Sequence, residues 1–246
     1  MHQPKPQILK LIDHVRALKT STEVFYIANG ANIMCDALKD LKRKIEPGMT
    51  ELEAAFILEK QMARLGVKEA AFSPIVASGK NSANIHHWPT KKKIQKNDMV
   101  MIDFGAVIHG YCSDMTRMFF MGTPTAKQEK MYKAVLEAQL SGIKVVKHGV
   151  SGGRVDKVVR NVLKKFKLNS KFTHNLGHGV GQYIHEWPRL GKESVDILEA
   201  GMVITIEPGV YEKGFGGVRI EDMLKVTPSG TSILTTFPKD IKFCIV

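Results

Sequence analysis

The chain has 246 residues, and 43% of them are hydrophobic, which is enough apolar material for one large α/β domain or two small ones. Its 36 basic and 24 acidic residues give a net charge of +12, but no recognised nucleic-acid module accompanies the basic clusters, so specific nucleic-acid binding is not expected. No apolar run approaches the roughly 18 residues that a membrane span needs. Three cysteines without C-x-x-C spacing favour reduced thiols and a cytoplasmic location.

Four helices are predicted from their capping residues and apolar spacing. The capping boxes Thr20–Glu23 and Thr50–Glu53 each begin a helix. A long amphipathic helix is predicted from Ala126 to about Lys147, and Ser151 begins a further one. Because two similar helix pairs occur along the chain, the sequence indicates a duplicated α-α-β unit.

Two aspartates lie in residues 99–121, a segment that is predicted to form a buried antiparallel unit. Asp103 interrupts an otherwise apolar strand, and a bend near His109-Gly110 would fold the chain back so that Asp114 lies close to it. A buried aspartate is costly unless it is paired, hydrogen-bonded or bound to a metal. Taken alone, Asp103 is better explained by pairing with an arginine, and Asp114 by capping a turn.

Histidines and glycines are interleaved in residues 175–188. His178 is flanked by Gly177 and Gly179, which allow the backbone to approach a bound group closely. His185 follows in a more strand-like stretch. Either histidine alone is more often a structural residue than a ligand.

Two glutamates end predicted strands in residues 201–223. Val203–Ile206 is predicted to be a buried strand ending at Glu207, and Val218–Ile220 is predicted to be its returning strand, ending at Glu221. The glycine-rich run between them is expected to be a hairpin loop. The ordinary alternative for Glu221 is a surface ion pair with Arg219.

Together the three segments offer four carboxylates and one imidazole, from Asp103, Asp114, His178, Glu207 and Glu221. Oxygen ligands suit hard divalent cations, so Mn²⁺ is the expected metal, and the imidazole also admits Co²⁺ or Zn²⁺. Two such ions held close together can catalyse hydrolysis, because they lower the pKa of a bridging water and polarise a carbonyl group. Clustered carboxylates without metal would repel one another, so metal is expected to stabilise the fold.

The three segments, taken in order, resemble the pita-bread metallopeptidases, which include aminopeptidase P, prolidase and methionine aminopeptidase. The resemblance is carried by DFG with CSDMTR, then by GHGVGQYIHEWP, and then by TIEPGVY with GGVRIED. It covers roughly residues 20–235, most of the chain. The segments ASGKNSANIH and TIEPGVY are more similar to the proline-peptidase branch than to the methionine branch.

This resemblance implies an α/β (α+β) pita-bread fold, in which pseudo-two-fold α-α-β halves surround a central curved antiparallel sheet. Residues 20–246 would form a single metallopeptidase catalytic domain, preceded by a lead-in segment at residues 1–19. The two predicted helix pairs agree with such a duplication.

The resemblance also implies a role for each ligand. Asp103 would bind one metal and His178 the other, while Asp114 and Glu221 would bridge both. Glu207 would bind the same metal as His178 and act as general base for the water that bridges the metals.

Four further residues match positions near the substrate in the resembling family. His86 matches the substrate-side histidine, and His185 matches the histidine that hydrogen-bonds the scissile carbonyl or the developing oxyanion. Tyr211 and Arg219 match polar residues around the metals, and Arg219 is expected to help orient the distal carboxylate of a short product. Two histidines match no family position and are interpreted as surface residues, namely His87 and His109.

The implied function is an exopeptidase with two divalent metal ions that uses a metal-bridging hydroxide to hydrolyse the bond between an N-terminal residue and a following proline. Such an enzyme would be an Xaa-Pro aminopeptidase or an Xaa-Pro dipeptidase acting on short peptides, with a homodimer as a possible assembly. The alternatives are a methionine aminopeptidase and a non-catalytic binding module of the same fold.

Overall fold

Five α-helices form within residues 6–246, the part of the chain that this computed structural model describes. They are α1 (Pro6–Ala17), α2 (Ser21–Lys44), α3 (Glu51–Arg64), α4 (Ala126–Val145) and α5 (Gly152–Lys165). The four predicted helices are confirmed as α2 to α5. Helix α1 lies in the segment that the sequence analysis treats as a lead-in, where it predicts no helix.

The helix starts follow the capping residues. Thr20 and Thr50 each form a capping box with the glutamate three residues later, as predicted. Thr125 forms a third capping box with Gln128, and the Ser151 side chain caps α5. Because these side chains satisfy backbone N–H groups that lack partners in the first turn, local sequence decides where each helix begins.

Thirteen short strands are present in the described residues. The first half of the chain holds β1 (Glu69–Ala70), β2 (Ile75–Ser78), β3 (Met99–Phe104), β4 (Ala106–Ile108), β5 (Tyr111–Cys112) and β6 (Met115–Phe120). The second half holds β7 (Gly177–Gly179), β8 (Glu186–Leu190), β9 (Val203–Ile206), β10 (Gly209–Glu212), β11 (Gly216–Arg219), β12 (Asp222–Val226) and β13 (Thr231–Ile233).

The strand order repeats between the two halves. Strands β2, β3 and β6 pair antiparallel in that order, and β7, β9 and β12 do the same within a five-stranded sheet of order β13-β12-β9-β7-β8. In each half a two-stranded hairpin, β4–β5 or β10–β11, separates the last two strands of the trio. The two sheets meet where the Glu221 N–H donates to the Thr116 carbonyl at 3.2 Å. The predicted α/β (α+β) class and its duplicated halves are therefore confirmed.

Two strand predictions in the second half are wrong in detail. The strand that pairs with β9 is β12, which begins after Glu221, whereas Val218 belongs to β11 and pairs with β10. Pro208, which has no backbone N–H, separates β9 from β10, so the chain starts a new hairpin there. His185 does not lie in a strand, because residues 181–185 form a bend and β8 begins at Glu186.

Strand β3 is buried on both faces, which fixes the direction of Asp103. Val100, Ile102 and Phe104 pack against α2 and α3, whereas Met99 and Met101 pack in the core that contains α4 and α5. Since side chains alternate along a strand, Asp103 shares the face of Met99 and Met101 and points towards the second half of the molecule.

Two global expectations from composition can be compared with the structure. Cys35, Cys112 and Cys244 are buried free thiols, in agreement with their spacing. Among residues 6–246, no helix combines the length and apolar character that crossing a bilayer requires.

A buried glutamate at the start of α3 organises the segment that carries His86. The Glu51 carboxylate is fully buried and accepts hydrogen bonds from the Ser78 N–H and hydroxyl at 2.8 Å and from the Thr90 hydroxyl at 2.7 Å. It also accepts from the Asn81 amide at 3.1 Å. Because donors from residues 78, 81 and 90 converge on one carboxylate, the segment between them is held at both ends.

The prediction that His87 is a surface residue is wrong. Its Nε2 atom lies 2.9 Å from a Glu51 carboxylate oxygen, and its side chain is only 10% exposed. The cause is the same buried carboxylate, which draws polar groups of the segment inwards. His109 is exposed, as predicted, and its ring packs 4.6 Å from that of Tyr26.

We expect Glu51→Gln to destabilise the protein in a pH-dependent way. Burial opposes ionisation of Glu51, but hydrogen bonds from His87, Ser78 and Thr90 lower its pKa from 4.5 to about 2. A depressed carboxyl pKa stabilises the fold fully above the unfolded value, and this stabilisation is lost as the pH falls towards 2. The shift corresponds to at most about 3 kcal/mol at neutral pH.

The measurement is urea unfolding of wild type and variant between neutral pH and about pH 3. The difference in unfolding free energy should fall to less than half over that range. Glu59→Gln, on an exposed position of the same helix, serves as the control and should change little at any pH. A Glu51→Gln difference that stays constant with pH would contradict the account.

Candidate metal centre

All five predicted ligands line one cavity of about 600 Å³ between the two halves. Asp103 comes from β3, and His178 from the middle of β7. Glu207 directly follows β9. Asp114 and Glu221 each directly precede the last strand of a trio, β6 or β12. The repeated topology thus places the carboxylates in two equivalent pairs. Asp103 and Glu207 come from the middle strands, and Asp114 and Glu221 come from just before the last strands.

The imidazole lies among the carboxylates. His178 Nε2 is 3.3 Å from a Glu207 oxygen and 3.7 Å from an Asp114 oxygen. Asp114, His178 and Glu221 each offer a ligand atom, and these atoms lie within 4.8 Å of one another. That spacing is compatible with a shared cation.

Local backbone features explain how His178 reaches this position. A side chain at Gly177 would place its Cβ only 2.1 Å from the Thr205 carbonyl oxygen, so glycine is required for β7 to approach β9. The Thr205 hydroxyl accepts from the His178 N–H at 3.1 Å and donates to Glu207 at 3.3 Å. One threonine therefore fixes the two residues relative to each other.

Three carboxylate oxygens of the cluster are buried without a hydrogen-bond partner. They belong to Asp103 (Oδ1), Asp114 (Oδ1) and Glu221 (Oε1), and only one other side-chain atom in the described residues, Asp156 Oδ1, shares this condition. Buried polar atoms are nearly always satisfied, because an unsatisfied one costs free energy. The donor set therefore fits a cation, since hard divalent ions bind through such oxygens.

The electrostatics of the cluster agree with this fit. Burial and the negative charge of neighbouring carboxylates raise the pKa of Asp114 and of Glu221 well above the usual range. Burial alone would lower the pKa of His178, but Glu207 and Asp114 raise it to about 9. Burial opposes ionisation of Glu207 too, yet the hydrogen bond from His178 lowers its pKa. A protonated His178 thus carries part of the positive charge that this cluster needs.

Arg219 carries another part of that charge. Its guanidinium is buried and forms a short hydrogen bond with the second oxygen of Asp103. The arginine partner considered for Asp103 is therefore present, although the other Asp103 oxygen stays unpartnered. The surface ion pair considered for Glu221 is wrong, because Glu221 is buried and accepts from the Thr116 hydroxyl at 2.8 Å.

All three guanidinium nitrogens of Arg219 donate hydrogen bonds within the protein. It also donates to the Thr116 hydroxyl at 3.1 Å, the Tyr211 hydroxyl at 2.9 Å and the Ile85 carbonyl at 3.3 Å. That Arg219 helps to orient the distal carboxylate of a short product stays a prediction. Arg189 also lines the cavity, is exposed, and donates to the Asn175 side-chain oxygen at 3.1 Å.

His174 is a cavity residue that the sequence analysis does not single out. Its Nδ1 lies 2.7 Å from the Asn175 carbonyl, so Nδ1 carries the hydrogen, and its Nε2 accepts from the Tyr211 hydroxyl at 2.9 Å. A chain of hydrogen bonds thus joins His174 through Tyr211 and Arg219 to Asp103. The only sequence signal was a further histidine four residues before His178.

The two accessory histidines lie at the same cavity. His86 and His185 both line it, and the His185 ring packs edge-on against His178 with 4.3 Å between ring centroids. Burial, together with the charge of His178, lowers the pKa of His185. A neutral imidazole at this position can accept or donate a proton near neutral pH.

Comparison with known proteins gives the family. Residues 26–228 match metallopeptidase family M24. The Xaa-Pro dipeptidase of Pyrococcus furiosus is 38% identical over 231 residues, covering 94% of this chain and 66% of the relative. A putative Xaa-Pro aminopeptidase of Mycoplasma pneumoniae is 42% identical over 214 residues, covering 86% and 60%. The chain thus spans about two thirds of the length of these relatives.

A solved structure shows the same architecture. The Xaa-Pro dipeptidase from Bacillus anthracis superimposes with a TM-score of 0.93 and is 39% identical, covering 96% of this chain and 66% of that one. The match confirms the pita-bread fold that the resemblance implies. The chain belongs to metallopeptidase family M24.

Proposed function

We propose that this protein is a metal-dependent exopeptidase that hydrolyses the bond between an N-terminal residue and a following proline. The observation that carries the proposal is the set of three buried, unpartnered carboxylate oxygens beside His178. The names of the relatives, Xaa-Pro dipeptidase and putative Xaa-Pro aminopeptidase, support the substrate class. Short peptides are the proposed substrates, and a homodimer and a cytoplasmic location stay predictions.

Five residues would hold two divalent ions, with Mn²⁺ first and Co²⁺ or Zn²⁺ as other candidates: Asp103, Asp114, His178, Glu207 and Glu221. When bound, these ions would polarise the scissile carbonyl and acidify a water molecule. Asp114 and Glu221 enter from opposite halves, and each has one buried oxygen without a hydrogen-bond partner, which supports the prediction that they would be shared by both ions. Binding would require His178 to lose the proton that its raised pKa favours.

Glu207 is the proposed general base. Without metal, the hydrogen bond from His178 lowers the pKa of this carboxyl group. With metal bound, the cations would keep the carboxylate ionised in place of the His178 proton, so one of its oxygens could take a proton from the attacking water. The Thr205 hydroxyl donates to Oε1 at 3.3 Å and thereby orients the group. After attack, Glu207 holds that proton and can pass it towards the leaving nitrogen, directly or through a relay.

The accessory histidines would serve the substrate. Cleavage before proline expels a secondary amine whose nitrogen carries no N–H in the peptide, so the site must supply a proton there. His86 is the proposed donor or relay for that proton, and His185 would hydrogen-bond the carbonyl oxygen as negative charge develops on it. Arg189 would contact the carboxylate of a short peptide, and Tyr211 would hold the cavity residue His174 in place through their hydrogen bond of 2.9 Å.

We expect metal-reconstituted protein to cleave Xaa-Pro dipeptides or longer Xaa-Pro-Yaa peptides in preference to Met-Ala-Ser. The measurement is product formation by mass spectrometry across the three peptide types, with Mn²⁺, Co²⁺ and Zn²⁺ each tested. The ratio of the first two rates decides between dipeptidase and aminopeptidase activity. Preferential cleavage of Met-Ala-Ser would favour a methionine aminopeptidase, and binding without cleavage of any peptide would favour a non-catalytic module.

We expect Glu207→Gln to lower turnover strongly while metal is retained. The amide keeps an oxygen that can bind a cation weakly, but it cannot take a proton from water, so kcat should fall by about 10²-fold or more. Glu137→Gln, on an exposed face of α4, is the matched control and should keep wild-type rates. Elemental analysis should still find metal in Glu207→Gln. Wild-type kcat in that variant would remove Glu207 from the proposed base role.

A further inference from the structure

Helix α1 is tied to the loop that carries His185. Glu186 directly follows His185 in the chain. Its carboxylate accepts a hydrogen bond from the Arg16 guanidinium at 2.5 Å and another from the Lys19 ammonium at 3.0 Å. The Arg16 guanidinium also lies 4.3 Å above the centre of the Tyr183 ring. We call three charged residues the α1 clamp: Arg16 of α1, Lys19 of the connection that follows it, and Glu186.

Two members of the α1 clamp, Lys19 and Glu186, are buried, so each of these two charges depends on its partners. The Lys19 side chain is 1% exposed and the Glu186 side chain 7% exposed, whereas Arg16 keeps 28% of its side chain in solvent. Buried charges are tolerated only when they are paired, and removing one partner leaves the other uncompensated. The contact therefore fixes where α1 meets the loop.

The same carboxylate also closes the loop on itself. Glu186 accepts from the Tyr183 N–H at 3.0 Å. A Cβ at Gly181 would lie only 2.3 Å from a Glu186 oxygen, so glycine allows the carboxylate to fold under the bend. At the far end, the Gly181 carbonyl accepts from the Cys112 N–H at 2.7 Å. The bend at residues 181–185 thus has one anchor in β5 and another in the α1 clamp.

The His185 side chain is held by few direct interactions. Within residues 6–246, its ring takes part in no side-chain hydrogen bond. The ring packs against that of His178. Its position above the cavity therefore depends on the loop backbone on either side. The α1 clamp acts on the residue immediately after it.

We propose that Arg16 and Lys19 are positioning residues for His185, so that α1 forms part of the functional site. The activity readout of this proposal rests on the proposed function, whereas its structural readout does not. Small misplacement of a group that stabilises developing charge lowers the rate strongly, because such stabilisation depends on geometry set in advance.

The first test is hydrogen–deuterium exchange of the backbone amides of residues 182–187. Lys19→Met keeps the volume of the buried chain and removes its charge, and Arg16→Gln is a milder, partly exposed change. Both should speed exchange in this segment by about tenfold, because its anchor is weakened. Arg16→Lys should restore much of the protection. Lys10→Met, an exposed position of α1, is the matched control and should leave exchange unchanged.

The second test is a double-mutant cycle with His185→Ala. Lys19→Met should lower kcat by about tenfold with a smaller change in KM, and should lower it by less than about twofold in the His185→Ala background. General destabilisation would lower kcat equally in both backgrounds and would be seen as a lower melting temperature. Metal content, measured by elemental analysis, should be the same in all variants.

The outcomes separate this proposal from the proposed function. If wild-type protein cleaves no Xaa-Pro peptide, the proposed function fails, and the exchange measurement alone decides the role of the α1 clamp. Unchanged exchange at residues 182–187 in both Lys19→Met and Arg16→Gln would overturn the proposal. Equal losses of kcat with and without His185 would overturn it as well.

Discussion

Enclosing four carboxylates in one cavity is the constraint on which the rest of this structure depends. Asp114, Glu207 and Glu221 lie close to the His178 imidazole, and Asp103 lines the same cavity. Burial removes the water that would otherwise screen the repulsion among these carboxylates. Protonated His178 and Arg219 offer two positive charges against four potential negative ones. The remaining imbalance either keeps carboxyl groups protonated or requires cations.

The fold supplies this cluster through repetition. Each half delivers one carboxylate at the middle strand of its trio and another just before the last strand, and each half also delivers one accessory histidine. A second set of buried polar residues supports the backbone beside Glu221. Arg117 is fully buried, donates to Asp222 at 2.6 Å and forms a short bond with the Glu221 carbonyl. Asp222 also accepts from Gln139 of α4 at 2.8 Å, so helix packing and ligand placement are coupled.

Two carboxylates outside the cluster, those of Glu51 and Glu186, each hold a segment that carries an accessory histidine. Glu51 gathers the segment that carries His86, and Glu186 gathers the bend that carries His185. Both segments lack regular strand or helix at the histidine, so they depend on side-chain hydrogen bonds for their shape. Rigid support of this kind is what a site needs when it must hold a side chain in a fixed position beside a reacting group.

Local signals predicted much of this structure, and long-range contacts account for what they missed. Thr20 and Thr50 mark helix starts because a cap acts within three residues. Asp103 stands out because an acid in an apolar strand requires a partner. By contrast, the Arg16 contact with Glu186 joins residues 170 positions apart, and no periodicity reports it. His87 and His174 were missed for the same reason, since only the folded chain brings Glu51 and Tyr211 to them.

Anomalous diffraction from a crystal of the Mn²⁺-loaded protein tests the central claim most directly. The account predicts two manganese peaks per chain in the cavity, with both oxygens of Asp114 and Glu221 engaged and with Asp103 Oδ1 and His178 Nε2 each bound to a different ion. Peaks only at the protein surface, or none, with Asp114 Oδ1 and Glu221 Oε1 still unpartnered, would contradict it.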